Sequence, residues 1–460
     1  MISSKEVCEI INEGEKNLKE CYLILNNLKI NRNTENIHLF QPKLATALFK
    51  LNKCYRDIVH EEKRLIKNKK NYKNKWFEEK LGTLKSYKEA INKTIEIAKG
   101  IGDSFAWIFY IKKANLITQH QEHQKITHTP PGIGGEAELQ FIRNVYKFEG
   151  LFVLYHGITS FLRVGDVSLI DLLSGEVVAL GEMKAVKKSD KELNISLHII
   201  GSNKIEKNLS KIKKGENPTK LPLNIELKLK NQLKNMGKFF KFDYSPIGKE
   251  DILNGYNISN LQKLIKVMSR KKIAIDKISE SLLIFGIKNN RKTLEKRIFN
   301  EPKLNNRIFE KVNFTNHALS ICDKESKENS IILGELSTNY FTGGTPIFWW
   351  PLEDKVLEKL FFKEFIFITI YNPYYFIKKL REAGFKIIYT GVKWYFNISI
   401  DINGGNFSIN NIDYFINAII YHLMKEESII EILLRLIEKA KNGEIPGNSK
   451  TMLELNHYVF

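Results

Sequence analysis

The stretch RVGDVSLIDLLSGEVVALGEMKAV, residues 163–186, leaves little freedom in how it can fold. Two runs rich in Val, Ile and Leu flank Ser174-Gly175, which is the composition of two strands joined by a tight antiparallel connection. Side chains alternate along a strand, so a hairpin centred on Ser174 sets Asp166 directly opposite Glu182. Lys184, two residues further on, falls on the same face. Opposed Cβ atoms sit about 4.5–5.5 Å apart, a spacing that suits two carboxylates sharing one cation. Asp171 would pair near Val177, about 17 Å from Glu182 at ~3.4 Å per residue, and on the other face. It is read as a surface or turn residue, and Glu176, in the turn itself, is set aside for the same reason.

Charged residues in otherwise apolar strands call for a chemical reason. Hydrolysis of a phosphodiester at neutral pH uses a divalent cation that polarises the phosphoryl oxygen and lowers the pKa of water. Mg²⁺ takes hard carboxylate oxygens, usually one or two from the protein. A nearby lysine steadies the charge that develops on the phosphate. Asp166, Glu182 and Lys184 meet that requirement, and the preceding helix offers a further acid. Its apolar face carries Leu139, Ile142, Val145 and Tyr146, and Glu138 lies one turn from Ile142, whereas Glu136 aligns with Gln140, Arg143 and Lys147. Glu138 leads Glu136, though from the helix start either can reach the site.

Helix Glu, Gly-Asp, hairpin and Glu-x-Lys, across residues 134–186, resemble the core of the PD-(D/E)XK nuclease superfamily, with Gly165 in place of the Pro that names the motif. The resemblance covers little over a tenth of the chain. It implies an α/β fold with a restriction-endonuclease-like αβββαβ core. Glu138, Asp166 and Glu182 would be the metal ligands and Lys184 the catalytic lysine. The expected activity is a Mg²⁺-dependent (or Mn²⁺-dependent) endonuclease acting on nucleic acid, DNA favoured over RNA, and the association extends to defence against foreign or phage DNA.

The rest of the chain is less specific. At 460 residues it exceeds one ordinary core. The expected divisions are a helical region at 1–100, the nuclease-like domain at 101–245, a helical connection at 246–330 and a mixed α/β domain at 331–460. Lys and Arg number 72 against 52 acids, a net charge of +20 that favours anionic partners, although a chain so rich in Lys, Asn and Ile owes part of it to composition. Eleven Lys against three Glu in 204–241 would hold a nucleic-acid backbone without reading sequence. The basic run KRLIKNKKNYKNKWFEEK at 63–80 reads first as a solvated helix face and second as a phosphate-contacting one. Four scattered cysteines without a CxxC pair argue against a disulfide scaffold or zinc-thiolate site. No apolar run suggests a signal peptide or a membrane span, so a soluble, cytoplasmic protein without membrane contact is expected.

Other features carry less. His120, His123 and His128 lack acidic or thiol partners apart from Glu122 and make a poor zinc site. His156 is read as a satisfied strand-end histidine, and Asp103 or Ser104 as the cap of a helix over 101–119. Phe348, Trp349 and Trp350 suit a small core better than base stacking. Two further readings remain open: a non-catalytic nucleic-acid-binding protein on a nuclease-like scaffold, and a subunit of a larger complex. A homo-oligomer or a partner protein fits any of these.

Overall fold

The computed structural model describes residues 2–31, 36–110, 116–117, 120, 132–145, 147–189, 192–201, 246–251, 255–301, 313–336, 345–390, 396–402, 405–410, 412–444 and 452–456. Helices combine with antiparallel sheets in a mixed α/β chain of two compact units. One is built mainly from Met1–Asp243 with Thr293–Phe299, the other mainly from Tyr244–Lys292 and Thr342–Phe460.

Three long helices open the first unit: α1 (Ser4–Asn31), α2 (Ile37–Lys67) and α3 (Asn74–Tyr110). In α1, Val7, Ile11, Leu18, Tyr22 and Leu25 recur on one buried stripe, and Phe40, Leu44, Leu48, Leu51, Ile58 and Leu65 do the same in α2. The second half of α3 is different, buried on nearly every side from Thr94 to Tyr110. No break falls near residue 100. Asp103 and Ser104 lie inside α3 and cap nothing: Asp103 receives hydrogen bonds from Ser160, and Ser104 donates to the Gly100 carbonyl at 2.7 Å. Glycine at 102 allows this depth, because a Cβ there would stand 1.9 Å from the Ile158 carbonyl oxygen.

Helix α4 (Ile133–Asn144) leads into an antiparallel meander, β1 (Lys147–Phe148), β2 (Leu151–Tyr155), β3 (Val167–Asp171), β4 (Glu176–Ser189) and β5 (Glu192–Gly201), hydrogen-bonded in chain order. The pairing expected from the hairpin is present at the end away from the turn: Val167 opposes Gly181, Ser168 opposes Leu180 and Leu169 opposes Ala179. Nearer the turn a bulge shifts the register, so Asp171 pairs with Glu176 and not with Val177. Glu176 therefore begins a strand. After the Glu182 strand the αβββαβ order would bring a helix, but β4 turns directly back into antiparallel β5. Residues 1–100 do not stand apart from this sheet. Gln41 of α2 donates to the Val153 carbonyl at 2.7 Å and accepts from the Tyr155 N–H at 2.8 Å, and Phe105 and Phe109 pack their rings on Phe152.

In the second unit a four-stranded antiparallel sheet runs in the order Ile273–Lys277, Leu282–Lys288, Phe365–Tyr371, Ile332–Glu335. The first two of these strands correct the expectation that 246–330 is a helical connection. LLIFGIK is buried from Leu282 through Ile287, and a short run covered on both faces has no periodicity to separate strand from helix. Tyr374–Glu382 forms a helix behind Pro373 that closes at Gly384 (φ +91), and Lys386–Tyr389 pairs with Phe396–Ile402. Phe348 and Trp350 are buried, with the Trp350 indole N–H donating to the Thr345 carbonyl. Among the described residues no helix is long and apolar enough to cross a membrane.

Candidate active site

Asp166 stands one residue ahead of β3. Gly165 before it has φ +74, a conformation that interrupts the extended chain ahead of β3 and that glycine adopts without strain. The Asp166 backbone is held on both sides, its N–H donating to the Gly181 carbonyl at 2.8 Å and its carbonyl accepting from His156 N–H at 2.9 Å. Its carboxylate Oδ2 accepts from the Met183 N–H at 2.6 Å, which ties it across to β4 between Glu182 and Lys184. Glu182 is 4% exposed, and the Lys184 ammonium donates to its Oε1 at 2.5 Å. On β5, His198 lies opposite Glu182 and Ser196 opposite Lys184.

Helix α4 brings the third acid. Glu138 is half-buried and accepts a short hydrogen bond from the Tyr155 hydroxyl at the end of β2, whereas Glu136 is exposed. Asp171 and Glu176 stay at the far end of the hairpin. There the Asp171 carboxylate accepts from the Leu173 N–H and the Ser174 hydroxyl, bonds that hold its pKa below the ordinary value.

Electrostatics binds the three acids into one site. Burial pushes the Asp166 carboxyl far above the usual carboxylate range, and the charges of Glu182 and Glu138 push in the same direction. The Glu138 carboxyl is raised to about 7, first by burial and then by Glu182, against the pull of the Tyr155 hydrogen bond, Lys99 and Lys184. Both shifts mean that the group resists taking a negative charge so near its acidic neighbours. Even so, among the described residues no three His, Cys, Asp or Glu side chains lie close enough to share a metal ion. Glu182 is turned to Lys184, Glu138 to Tyr155 and Asp166 to the β4 backbone.

Two groups of supporting residues escaped the sequence reading. Lys99 and Asp103, on α3, clamp the segment between β2 and β3. The Lys99 ammonium donates to the carbonyls of Gly157 (2.6 Å) and Thr159 (2.9 Å), and Asp103 accepts from the Ser160 N–H and hydroxyl, both at 2.6 Å. Burial lowers the Lys99 pKa to about 8 against the opposing charges of Asp103 and Glu138, and raises that of Asp103 to about 6. The signal was there: they are the only charged residues between Glu96 and Lys112. The other group is a buried hydrogen-bond chain. His120 Nδ1 accepts from the N–H groups of Arg163 and Val164, which leaves its proton on Nε2, facing the Tyr110 hydroxyl at 3.2 Å. Tyr110 donates to Ser168 (2.6 Å), Ser168 to His156 Nε2 (2.6 Å), and His156 Nδ1 to the Gly165 carbonyl (2.9 Å). Every member is satisfied, and the chain ends on the residue that turns Asp166. His123, His128 and the basic segment 204–241 lie outside the described residues. No family model matches the chain, and neither a curated protein nor a solved structure does.

Proposed function

We propose that this chain is a metal-dependent nuclease whose active site is Glu138, Asp166, Glu182 and Lys184, on a variant of the PD-(D/E)XK core that lacks the helix after the Glu182 strand. One observation carries the reading: acids from α4, the entry to β3 and β4 converge beside Lys184, where the charge of Glu182 adds to burial in raising the pKa of both Glu138 and Asp166. Their donor set fits Mg²⁺ or Mn²⁺, being hard carboxylate oxygens, and Mg²⁺ takes only one or two protein carboxylates with water completing its shell. Asp166 and Glu182 would hold the ion, with Glu138 as third acid. Bound there, the cation would polarise the phosphoryl oxygen and make water a better nucleophile.

The chain's own groups have clear parts in such a reaction. Lys184, released from Glu182 when that carboxylate turns to a cation, would orient the attacking water and offset charge on the phosphate. Glu138, raised to about 7, is suited to exchange a proton with water near neutral pH. Water oxygen would bond to phosphorus as its proton passes to Glu138, the bond to the leaving sugar oxygen would break, and the displaced oxygen would take up a proton. DNA is favoured over RNA, with defence against foreign DNA as the setting.

The test is incubation of the purified chain with plasmid, single-stranded DNA and RNA in Mg²⁺, Mn²⁺ or EDTA, alongside Glu182→Ala and Lys184→Ala. Cation-dependent cleavage that both substitutions abolish is expected. Cleavage surviving both would overturn the site. A non-catalytic binding protein is the second reading, favoured by the protein partner each acid already has. It predicts nucleic-acid binding without cleavage, unchanged in Asp166→Ala.

A further inference from the structure

The connection between α2 and α3 forms a second basic feature, independent of the carboxylate site. Between Glu62 and Glu78 the chain carries seven cations (Lys63, Arg64, Lys67, Lys69, Lys70, Lys73 and Lys75) and no acid. All seven are exposed, and among the described residues none has a carboxylate partner. Stability alone does not account for so much unpaired like charge in thirteen residues, because mutual repulsion disfavours it. The same tip exposes aromatic surface. The rings of Tyr72 (36% exposed) and Trp76 (38%) lie against each other with centroids 4.8 Å apart and planes tilted by 36°. A hollow of about 650 Å³ is lined by Tyr72 together with Lys67, Lys69, Lys70, Asn71 and Asn74.

We infer that this tip is a binding site for single-stranded nucleic acid. Lysines spaced around a hollow meet successive phosphates. Exposed aromatic rings stack on bases that are not already stacked in a duplex, and side-chain amides bond to base edges. A membrane surface fits less well. The strongly apolar side chains here, Leu65 and Phe77, are turned inward and buried, leaving Ile66 and two partly covered rings. The inference does not depend on catalysis, so its test is run without metal.

Binding of the full chain to a fluorescent 30-nucleotide single strand, and to a duplex of the same length, is measured in EDTA across a salt series. Lys67→Gln, Lys69→Gln and Lys70→Gln combined should weaken single-strand binding at least tenfold and flatten the log–log salt slope by about two. Tyr72→Ala with Trp76→Ala should weaken it about tenfold while changing duplex binding less than about twofold. All five positions are exposed, so an unchanged melting temperature checks folding. Sedimentation with phosphatidylcholine–phosphatidylserine vesicles (7:3) is the competing arm. The inference is overturned if the wild-type chain does not bind, or if either variant keeps single-strand affinity within twofold. It is also overturned if the aromatic variant loses both strand types equally, or if the lysine variant loses vesicle binding alone.

Discussion

Asp166 sits where burial and two neighbouring acids all oppose its ionisation. Asp166→Asn removes that repulsion while an amide oxygen can still accept from Met183 N–H. The proposed nuclease should lose cleavage by at least ~10²-fold, yet urea unfolding should show the variant about 1 kcal/mol more stable. A variant that is both inactive and clearly less stable would count against mutual repulsion among the three acids. His156 acts in the opposite sense. Burial holds its pKa at about 4 against 6.5 in the unfolded chain. Above pH 6.5 its stabilisation is complete, and as pH falls from 6.5 to 4 the unfolded state takes up a proton the native state refuses, so stability is lost. Asp103 and Glu138, raised to about 6 and about 7, gain stability over the same fall and mask the effect in the wild-type curve. Comparison with His156→Gln isolates it: the wild-type advantage should shrink by about 2 kcal/mol between pH 7 and pH 5. A pH-independent gap would show that His156 is not buried neutral. At this scale the sequence singled out Glu138, Asp166 and Glu182, but did not show that Lys99 and Asp103 are buried. Helical periodicity identifies a stripe, and α3 is enclosed on all sides.

Single elements owe their positions to a few backbone features. In α3 two glycines give contrasting tests. Gly82 has open space where a Cβ would go, so Gly82→Ala should stabilise the chain by about 0.5–1 kcal/mol through helix propensity. Gly102 has the Ile158 carbonyl there, so Gly102→Ala should destabilise it by about 3 kcal/mol, the cost of forcing apart a packed contact. Thermal melts of both variants check the pair, and equal effects would refute the close approach. The hairpin was legible because Ser174-Gly175 and a period of two specify register near the site. The bulge at Leu169/Ile170 was not legible, since it trades one residue's pairing for local twist without changing the apolar pattern. The strand Leu282–Lys288 was missed for a related reason: buried on both faces, it does not alternate.

Across the whole molecule, distant segments complete one another. The short helix Leu294–Phe299 belongs to the first unit, where Arg297, 2% exposed, donates to Glu15 of α1 at 2.8 Å. Glu15 also accepts from Leu294 N–H. Arg297→Met should cost about 3 kcal/mol, read from urea denaturation, because it leaves a buried carboxylate with less compensation. A loss under about 1 kcal/mol would mean that Lys19, 2.9 Å from the same carboxylate, suffices. Nothing local in the sequence announces a contact spanning nearly three hundred positions, nor that the helices of 1–100 share a unit with the sheet. By itself the sequence determined the strand hairpin and its register from Val167 to Leu169, the amphipathic N-terminal helices and the basic surplus. These follow from periodicity and turn chemistry, which act over a few residues. Tertiary structure alone decided that Glu138 rather than Glu136 turns toward Tyr155, that β4 continues into an antiparallel strand, and that a buried histidine–tyrosine–serine chain fixes Gly165. Those outcomes depend on which surfaces exclude water together, and only the folded chain brings such surfaces into contact.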